Sequence, residues 1–343
     1  MGSLAMHVDL LNDVVRTKAF DRALAETIRP GDVVADLGAG SGILSLLALK
    51  HGARRVYAVE RHPVAVLARA IARENGMADR LIVVRGEAAT IRLPEKVDVV
   101  VSETLGNAVF DEGILELLDV AKRRLLKRGG RMIPSRIRVM AAPAVTPLSP
   151  GRWAYGVRLE AFRSILAHSW WSTLRFSLRG PARKLGEAVP GRDLLPREYR
   201  GRWRTPGAGG LLVWFDAQLS PSVRLDARKA PSWKPAFFPA RERLRGEVAV
   251  RLRFDEARDM TWQFEGQAAQ TSSLGTLELL VRSTLREHSV PRLSADQARR
   301  AGILADVDGR RTVLDLARRV RGLSREEALR WVQAVCLEGS ALW

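Results

Sequence analysis

The chain has 343 residues, 46% apolar and 27% charged, with 56 Lys and Arg against 38 Asp and Glu and a formal net charge of +18; this is enough for two domains with cores of their own. No run of 18 or more apolar residues exists, which excludes a membrane-spanning helix, and the opening Met-Gly-Ser-Leu-Ala-Met lacks the charged start and long apolar region of a secretion signal. The single cysteine, Cys336, excludes an internal disulfide and fits a reducing compartment, so a cytoplasmic location is expected.

Residues 33–44 read Val-Val-Ala-Asp-Leu-Gly-Ala-Gly-Ser-Gly-Ile-Leu, an apolar strand with Asp36 near its end, then Gly38, Gly40 and Gly42, then an apolar run that opens a helix. A dinucleotide fingerprint requires G-x-G-x-x-G, but its third glycine position falls on Ile43. Alternating glycines after an acidic strand end suit a cofactor without a pyrophosphate, because a backbone with no Cβ lets it approach closely. A second apolar strand ends in Glu60, where an acid in Rossmann-type sheets takes the two hydroxyls of a ribose. Leu81-Ile-Val-Val-Arg-Gly-Glu87 predicts a third strand with an acid after it, placed for the edge of an adenine. Lys96-Val-Asp-Val-Val-Val101 predicts a fourth, and Leu125 to Ile133 predicts a helix end, a turn and a fifth. Strands and helices alternate from residue 33 to 140, which argues a parallel, doubly wound sheet with its ligand beyond the carboxyl ends of the strands. Asp36, Glu60, Glu87 and Glu103 all fall there.

The glycine segment resembles motif I of class I S-adenosylmethionine (SAM) methyltransferases. The loop after the fourth strand, Ser102-Glu103-Thr-Leu-Gly-Asn-Ala-Val-Phe-Asp-Glu112, resembles that of the protein arginine methyltransferases, which carry two glutamates there and a glycine matched by Gly106. The resemblance implies SAM as cofactor and Glu103 and Glu112 as the catalytic pair. A guanidinium is a planar fork of donors, and two carboxylates clamp it from two directions. Cofactor contacts are expected from Arg16, Asp36, Gly38, Gly40, Glu60 and Glu87, and no metal site is expected. Upstream, His7-Val-Asp-Leu-Leu-Asn-Asp13-Val-Val-Arg16-Thr resembles the family's helix that closes over the cofactor, in which Arg16 would pair the methionine carboxylate of SAM.

Downstream, Gly129-Gly130 to Ser135 resembles the link into the family's β-barrel, and residues 211–216, 246–254 and 260–264 read as its strands. Residues 150–205 are Trp-rich, read as irregular, and stand where the family inserts a dimerisation arm, so a homodimer is expected. Two departures bear on the substrate. The family's Thr-His-Trp signature is replaced by Pro231-Ser232-Trp233-Lys234, so the His that would pair an acid at Asp13 is gone, and Ser232 is left to donate one hydrogen bond there. The aromatic N-terminal segment that roofs the family's site has no match in residues 1–7, so a less enclosed pocket is expected.

These readings imply an α/β chain in three parts: an N-terminal helix and Rossmann-like SAM-binding domain over residues 1–140, an antiparallel β-barrel substrate domain over 141–288, and a helical module over 289–343. In the last, Ser294, Thr312 and Ser324 open three helical patterns, with Ser324 and Glu327 as a capping box. The pattern resembles a winged helix, and docking of a peptide substrate, DNA binding and a cap on the barrel all remain open for it. The positive charge fits an acidic peptide, nucleic acid or a merely solvated face. Three functions follow: N-methylation of a guanidino group on a peptide, protein or free arginine; N-methylation of an aliphatic amine on a ribosomally made modified peptide or small metabolite, with one glutamate as base; or a non-catalytic binding protein on a vestigial SAM fold.

Overall fold

The computed structural model describes residues 4–107, 113–147, 153–154, 157–158, 166, 169–194, 196–254, 260–272, 313–320, 324–325 and 328. Contacts divide the chain into one compact unit of residues 2–279 and a second of residues 280–343.

The first unit opens with helices α1 (Leu4–Asn12) and α2 (Val14–Thr27). Asp13 separates them and caps α2, its carboxylate accepting the backbone N–H of Arg16 at 2.9 Å. Strands β1 (Val33–Leu37), β2 (Arg55–Glu60), β3 (Leu81–Arg85), β4 (Val97–Ser102) and β5 (Leu126–Ile133) alternate with helices α3 (Ile43–Lys50), α4 (Ala65–Glu74) and α5 (Ile114–Arg124). All strand pairs are parallel and the order is β3-β2-β1-β4-β5. Strand β1 is buried along its whole length and β2 and β4 nearly so, as their predominantly apolar, Val- and Ala-rich sequences require when helices cover both faces of a sheet. The chain leaves β1 toward β2 and β3 on one side and returns to β4 and β5 on the other, so a crevice opens between the carboxyl ends of β1 and β4. Helix α5 ends as expected, with Leu125 as its C-cap, but the turn expected before β5 is absorbed into the strand: Val97 faces Leu126 but Val99 faces Arg131, and Gly129 takes the left-handed φ of +75° that the extra residues need.

The rest of the unit is antiparallel. Its strands are β6 (Arg136–Val145), β7 (Trp153–Ala154), β8 (Val157–Arg158), β9 (Trp171–Ser172), β10 (Ser177–Leu178), β11 (Arg183–Ala188), β12 (Glu198–Gln218), β13 (Arg224–Asp226), β14 (Ala236–Phe254), β15 (Met260–Phe264) and β16 (Gln270–Thr271). They run β10-β6-β12-β14-β15-β16, with β11 on β6, β13 on β12 and β9 on β14; β7 and β8 pair with each other. The strand expected at residues 211–216 is present, within the longer β12. One expectation is corrected: residues 150–205 are not irregular throughout, since β9, β10, β11 and the first half of β12 lie within them. The alternation of Tyr199 and Trp203 inward with Arg200, Arg202 and Arg204 outward is a strand period, masked by its charge. Trp203, Trp214 and Trp262 are almost fully buried. The indoles of Trp203 and Trp262 donate to the carbonyls of Pro181 (3.0 Å) and Pro239 (2.8 Å), which removes the cost of burying them.

In the second unit, helix α6 (Val313–Ala317) lies within the helix expected from Thr312 to Val320. Ala328 donates its backbone N–H to the Ser324 carbonyl at 2.8 Å, one helical turn at the expected capping residue. The expected helix from Ser294 and the winged-helix resemblance lie outside the described residues.

Candidate active site

The three glycines after β1 have φ of +75° (Gly38), +54° (Gly40) and +84° (Gly42), values that side-chain-bearing residues rarely adopt. Space is as restrictive as conformation. A Cβ on Gly38 would stand 2.7 Å from the Thr104 methyl, one on Gly42 2.7 Å from the Ala68 Cβ, and one on Gly40 3.1 Å from the His7 ring. The loop is thus a bare backbone pressed between α1, α4 and the loop after β4.

Asp36 is buried and accepts the Ser45 hydroxyl of α3 at 2.6 Å. Burial pushes its carboxyl up to about 6, against the pull of the Ser45 hydrogen bonds. Glu60, at the end of β2, accepts the backbone N–H of Gly40 (2.9 Å) on one oxygen and that of His62 (2.8 Å) on the other. Each oxygen keeps a lone pair free, so the carboxylate is fixed in place and still able to accept both hydroxyls of a vicinal diol. The glycine backbone and the oriented Glu60 together fit the ribose end of a nucleoside cofactor. Glu87 lies farther out, half exposed, on the Arg61 guanidinium at 3.1 Å.

Glu103 follows β4 directly and is buried. One of its oxygens accepts from both Nε (2.8 Å) and Nη2 of Arg16, which is itself buried on α2 and spends Nη1 on the Leu10 carbonyl (3.2 Å). Burial raises the Glu103 carboxyl above its ordinary range, and the Arg16 charge opposes the rise. The loop is tied to the antiparallel sheet. Trp233 donates its indole N–H to the Leu105 carbonyl at 2.6 Å, and the Lys234 backbone N–H reaches the Asn107 side-chain oxygen at 2.8 Å. Ser232 closes the circuit through its backbone N–H, which donates to Asp13 at 3.0 Å, while its hydroxyl is buried with no partner. The expected hydrogen bond from Ser232 to Asp13 therefore exists, carried by the main chain.

The structure gathers Arg16, Asp36, Gly38, Gly40, Glu60 and Glu103 around the crevice and leaves Glu87 at its rim. Glu112 lies outside the described residues. Two residues were not singled out as site members from sequence. His7 sits over Gly40, its ring held below the ordinary histidine range mainly by burial, with Glu60 pulling the other way. Thr104 packs on Gly38, its hydroxyl 3.1 Å from that of Ser102. Thr104 adjoins Glu103, and His7 opens the segment that resembles the helix closing over the cofactor, so their sequence position was the available signal.

The chain is similar to known methyltransferases in sequence and in fold. The family model for ribosomal protein L11 methyltransferase (PrmA) matches residues 17–147. Protein arginine N-methyltransferase 6 of Danio rerio is 39% identical over 153 residues, which are 44% of this chain and 44% of that protein. The probable protein arginine N-methyltransferase 6 of Arabidopsis thaliana is 32% identical over 170 residues, 47% of this chain and 39% of that one. The chain thus matches less than half the length of these relatives. By fold, it superposes on the Trypanosoma brucei PRMT1 enzyme-prozyme heterotetrameric complex with AdoHcy at TM-score 0.70 and 22% identity, covering 78% of this chain and 98% of that one. Arabidopsis thaliana protein arginine methyltransferase 10 gives TM-score 0.63 and 21% identity, covering 79% and 96%. In sequence over less than half of its length, and in fold over about four fifths, this chain resembles the protein arginine methyltransferases.

Proposed function

We propose that the chain is a SAM-dependent N-methyltransferase that methylates a guanidino nitrogen on a peptide, protein or free arginine. The observation that carries this reading is the state of Glu103: a buried carboxylate at the head of the crevice already holds a guanidinium, that of Arg16, through two of its nitrogens. A carboxylate so placed fits a second planar fork of donors on its other oxygen. Glu60 would hold the ribose, the Gly38–Gly40 backbone the adjoining chain, Glu87 the adenine edge, and Arg16 the amino-acid carboxylate of SAM; Asp36 supports the loop from below. When bound, SAM supplies an electrophilic methyl on its sulfonium.

Glu103 and Glu112 would orient the acceptor and hold its charge to one side, leaving a nitrogen lone pair aimed into the crevice. No strong base is needed, because the acceptor proton becomes acidic only as the new bond forms. Replacing Glu112 by Gln should leave SAM affinity unchanged by calorimetry and lower turnover of an arginine acceptor by roughly 100-fold, a typical cost of one electrostatic group at a reacting centre. Unchanged turnover would remove Glu112 from the site. A rate that rises through neutral pH, with label on an amine, would replace the guanidino acceptor by an amine. Absence of SAM binding would leave only the vestigial-fold reading. A homodimer, a cytoplasmic location and peptide docking by the C-terminal module belong to the same proposal; they rest on the Trp-rich 150–205 stretch, the single cysteine and the helical pattern of residues 289–343.

A further inference from the structure

The first half of β12 carries Arg200, Arg202 and Arg204 on its outward face, alternating with Tyr199 and Trp203, which are buried on the other. Register sets Arg251 of β14 opposite Arg200 and places Arg253 opposite Glu198 on the same face. All five arginines are exposed. At the bulge that ends this ladder, Arg243 continues the row: its Nε lies 2.9 Å from where a Cβ of Gly207 would stand.

Carboxylates do not match this charge. Glu198 serves two guanidiniums at once, Arg200 at 2.7 Å and Arg251 at 2.6 Å. Glu247 stands opposite Arg204 in the register but forms no ion pair with it, and Glu265 is turned to the backbone N–H of Ala249. Arg202, Arg204, Arg243 and Arg253 have no carboxylate partner among the described residues. A solvated face balanced for its own sake would pair them or space them with lysine. Here every cation is arginine, whose fork matches a carboxylate with two donors.

From this row we infer a binding site for an extended, acidic polypeptide segment on the outer face of β12 and β14. Two features select that occupant. Alternate residues along a strand stand about 6.6–6.8 Å apart, and the acids at alternate positions of an extended peptide repeat at the same distance. Among the described residues the face also has no aromatic platform: Tyr199, Trp203, Trp262 and Phe264 all point inward and are buried, whereas single-stranded nucleic acid is bound by stacking its bases on exposed rings as well as by charge. The site needs neither a cofactor nor the catalytic glutamates.

The test is fluorescence anisotropy with the full chain and a labelled twelve-residue peptide of alternating Glu and Ser. The same peptide with Lys for Glu, and a labelled oligo-dT of equal charge, serve as the other arms. Saturable binding of the acidic peptide is expected, weakening as salt is raised because exposed charges are screened. The Arg202→Glu/Arg204→Glu variant should bind at least about tenfold more weakly, and Arg202→Gln/Arg204→Gln about threefold, while Arg73→Glu/Arg92→Glu, two exposed arginines of the parallel-sheet domain, should bind as wild type. Thermal melts show whether each variant is folded; if the Glu pair is not, the Gln pair decides. No saturable binding, tighter binding of oligo-dT, or an equal loss in the Arg73/Arg92 variant would each overturn the proposal. Because the readout is binding without SAM, these results are independent of whether the acceptor is a guanidino group.

Discussion

Asp13 is 1% exposed, and its carboxylate accepts two backbone N–H groups, from Arg16 in the helix it caps and from Ser232 in the turn before β14. Replacing it by Asn keeps the shape but turns an NH₂ toward one of those donors, so a buried N–H loses its acceptor. That costs about 1–3 kcal/mol, measurable as a lower urea midpoint. Ser232→Ala, by contrast, keeps the main-chain donor and removes a buried hydroxyl with no partner, so its stability should be unchanged or higher. If the two variants lose stability equally, the serine side chain carries the link after all. Asp36 makes a second, pH-dependent prediction. Its carboxyl is raised from 3.8 to about 6, chiefly by burial, so the folded chain holds that proton more tightly than the unfolded one. Stability from this site is therefore fully present below about 3.8 and lost as pH rises through about 6. The displacement is worth about 3 kcal/mol. Asp36→Asn, still able to accept from Ser45, should unfold at higher urea than wild type near pH 7.5, and the gap should close toward pH 4. A gap constant with pH would mean that Asp36 does not titrate in this range.

The loop after β4 depends on an element far away in sequence. Trp233 is buried, stands edge-on to Phe215 at 4.9 Å between ring centres, and donates to the Leu105 carbonyl at 2.6 Å. Trp233→Phe keeps most of the ring and leaves that carbonyl unpaired, at about 1–3 kcal/mol. Because Glu103 is two residues from Leu105, the variant should lower kcat for an arginine acceptor while SAM affinity, which the proposed function assigns mainly to residues after β1 and β2, stays near wild type. Equal losses in both would show that the loop and the cofactor crevice move as one body. This coupling was only half legible in the sequence. The link from Ser232 to Asp13 was expected, but that the main chain and not the hydroxyl donates could not be read, because a main-chain N–H leaves no mark in residue identity. The parallel sheet was readable because Val and Ala runs, each ending at an acid or a glycine, specify buried strands. The antiparallel sheet was readable only in part. Arg200, Arg202 and Arg204 make a strand look like a polar loop, and the bulges between Thr205 and Gly210 let β12 run for 21 residues through what reads as a break.

At the scale of the molecule, charge and proposed chemistry pull in opposite directions. A chain of net charge +18 repels an arginine-rich acceptor at long range, yet the proposed site clamps a guanidinium with carboxylates. The conflict is resolved if the acceptor brings its own negative charge: acids flanking the target are drawn in by the surface, and the one guanidinium is sorted in the crevice. Long-range attraction acts on encounter, and its reach falls from about 10 Å at 0.1 M salt to about 3 Å at 1 M. For a peptide with one arginine between acidic flanks, KM should therefore rise with salt over this range while kcat, set by contacts within the crevice, stays nearly constant. A peptide with the same arginine between neutral flanks should show a higher KM at 0.1 M and little salt dependence. Steady-state rates with methyl-labelled SAM on both peptides separate the two quantities. If lysine-flanked arginine gave the lowest KM at low salt, the surface charge would play no part in recruiting the acceptor, and the carboxylates of the crevice would govern encounter as well as orientation.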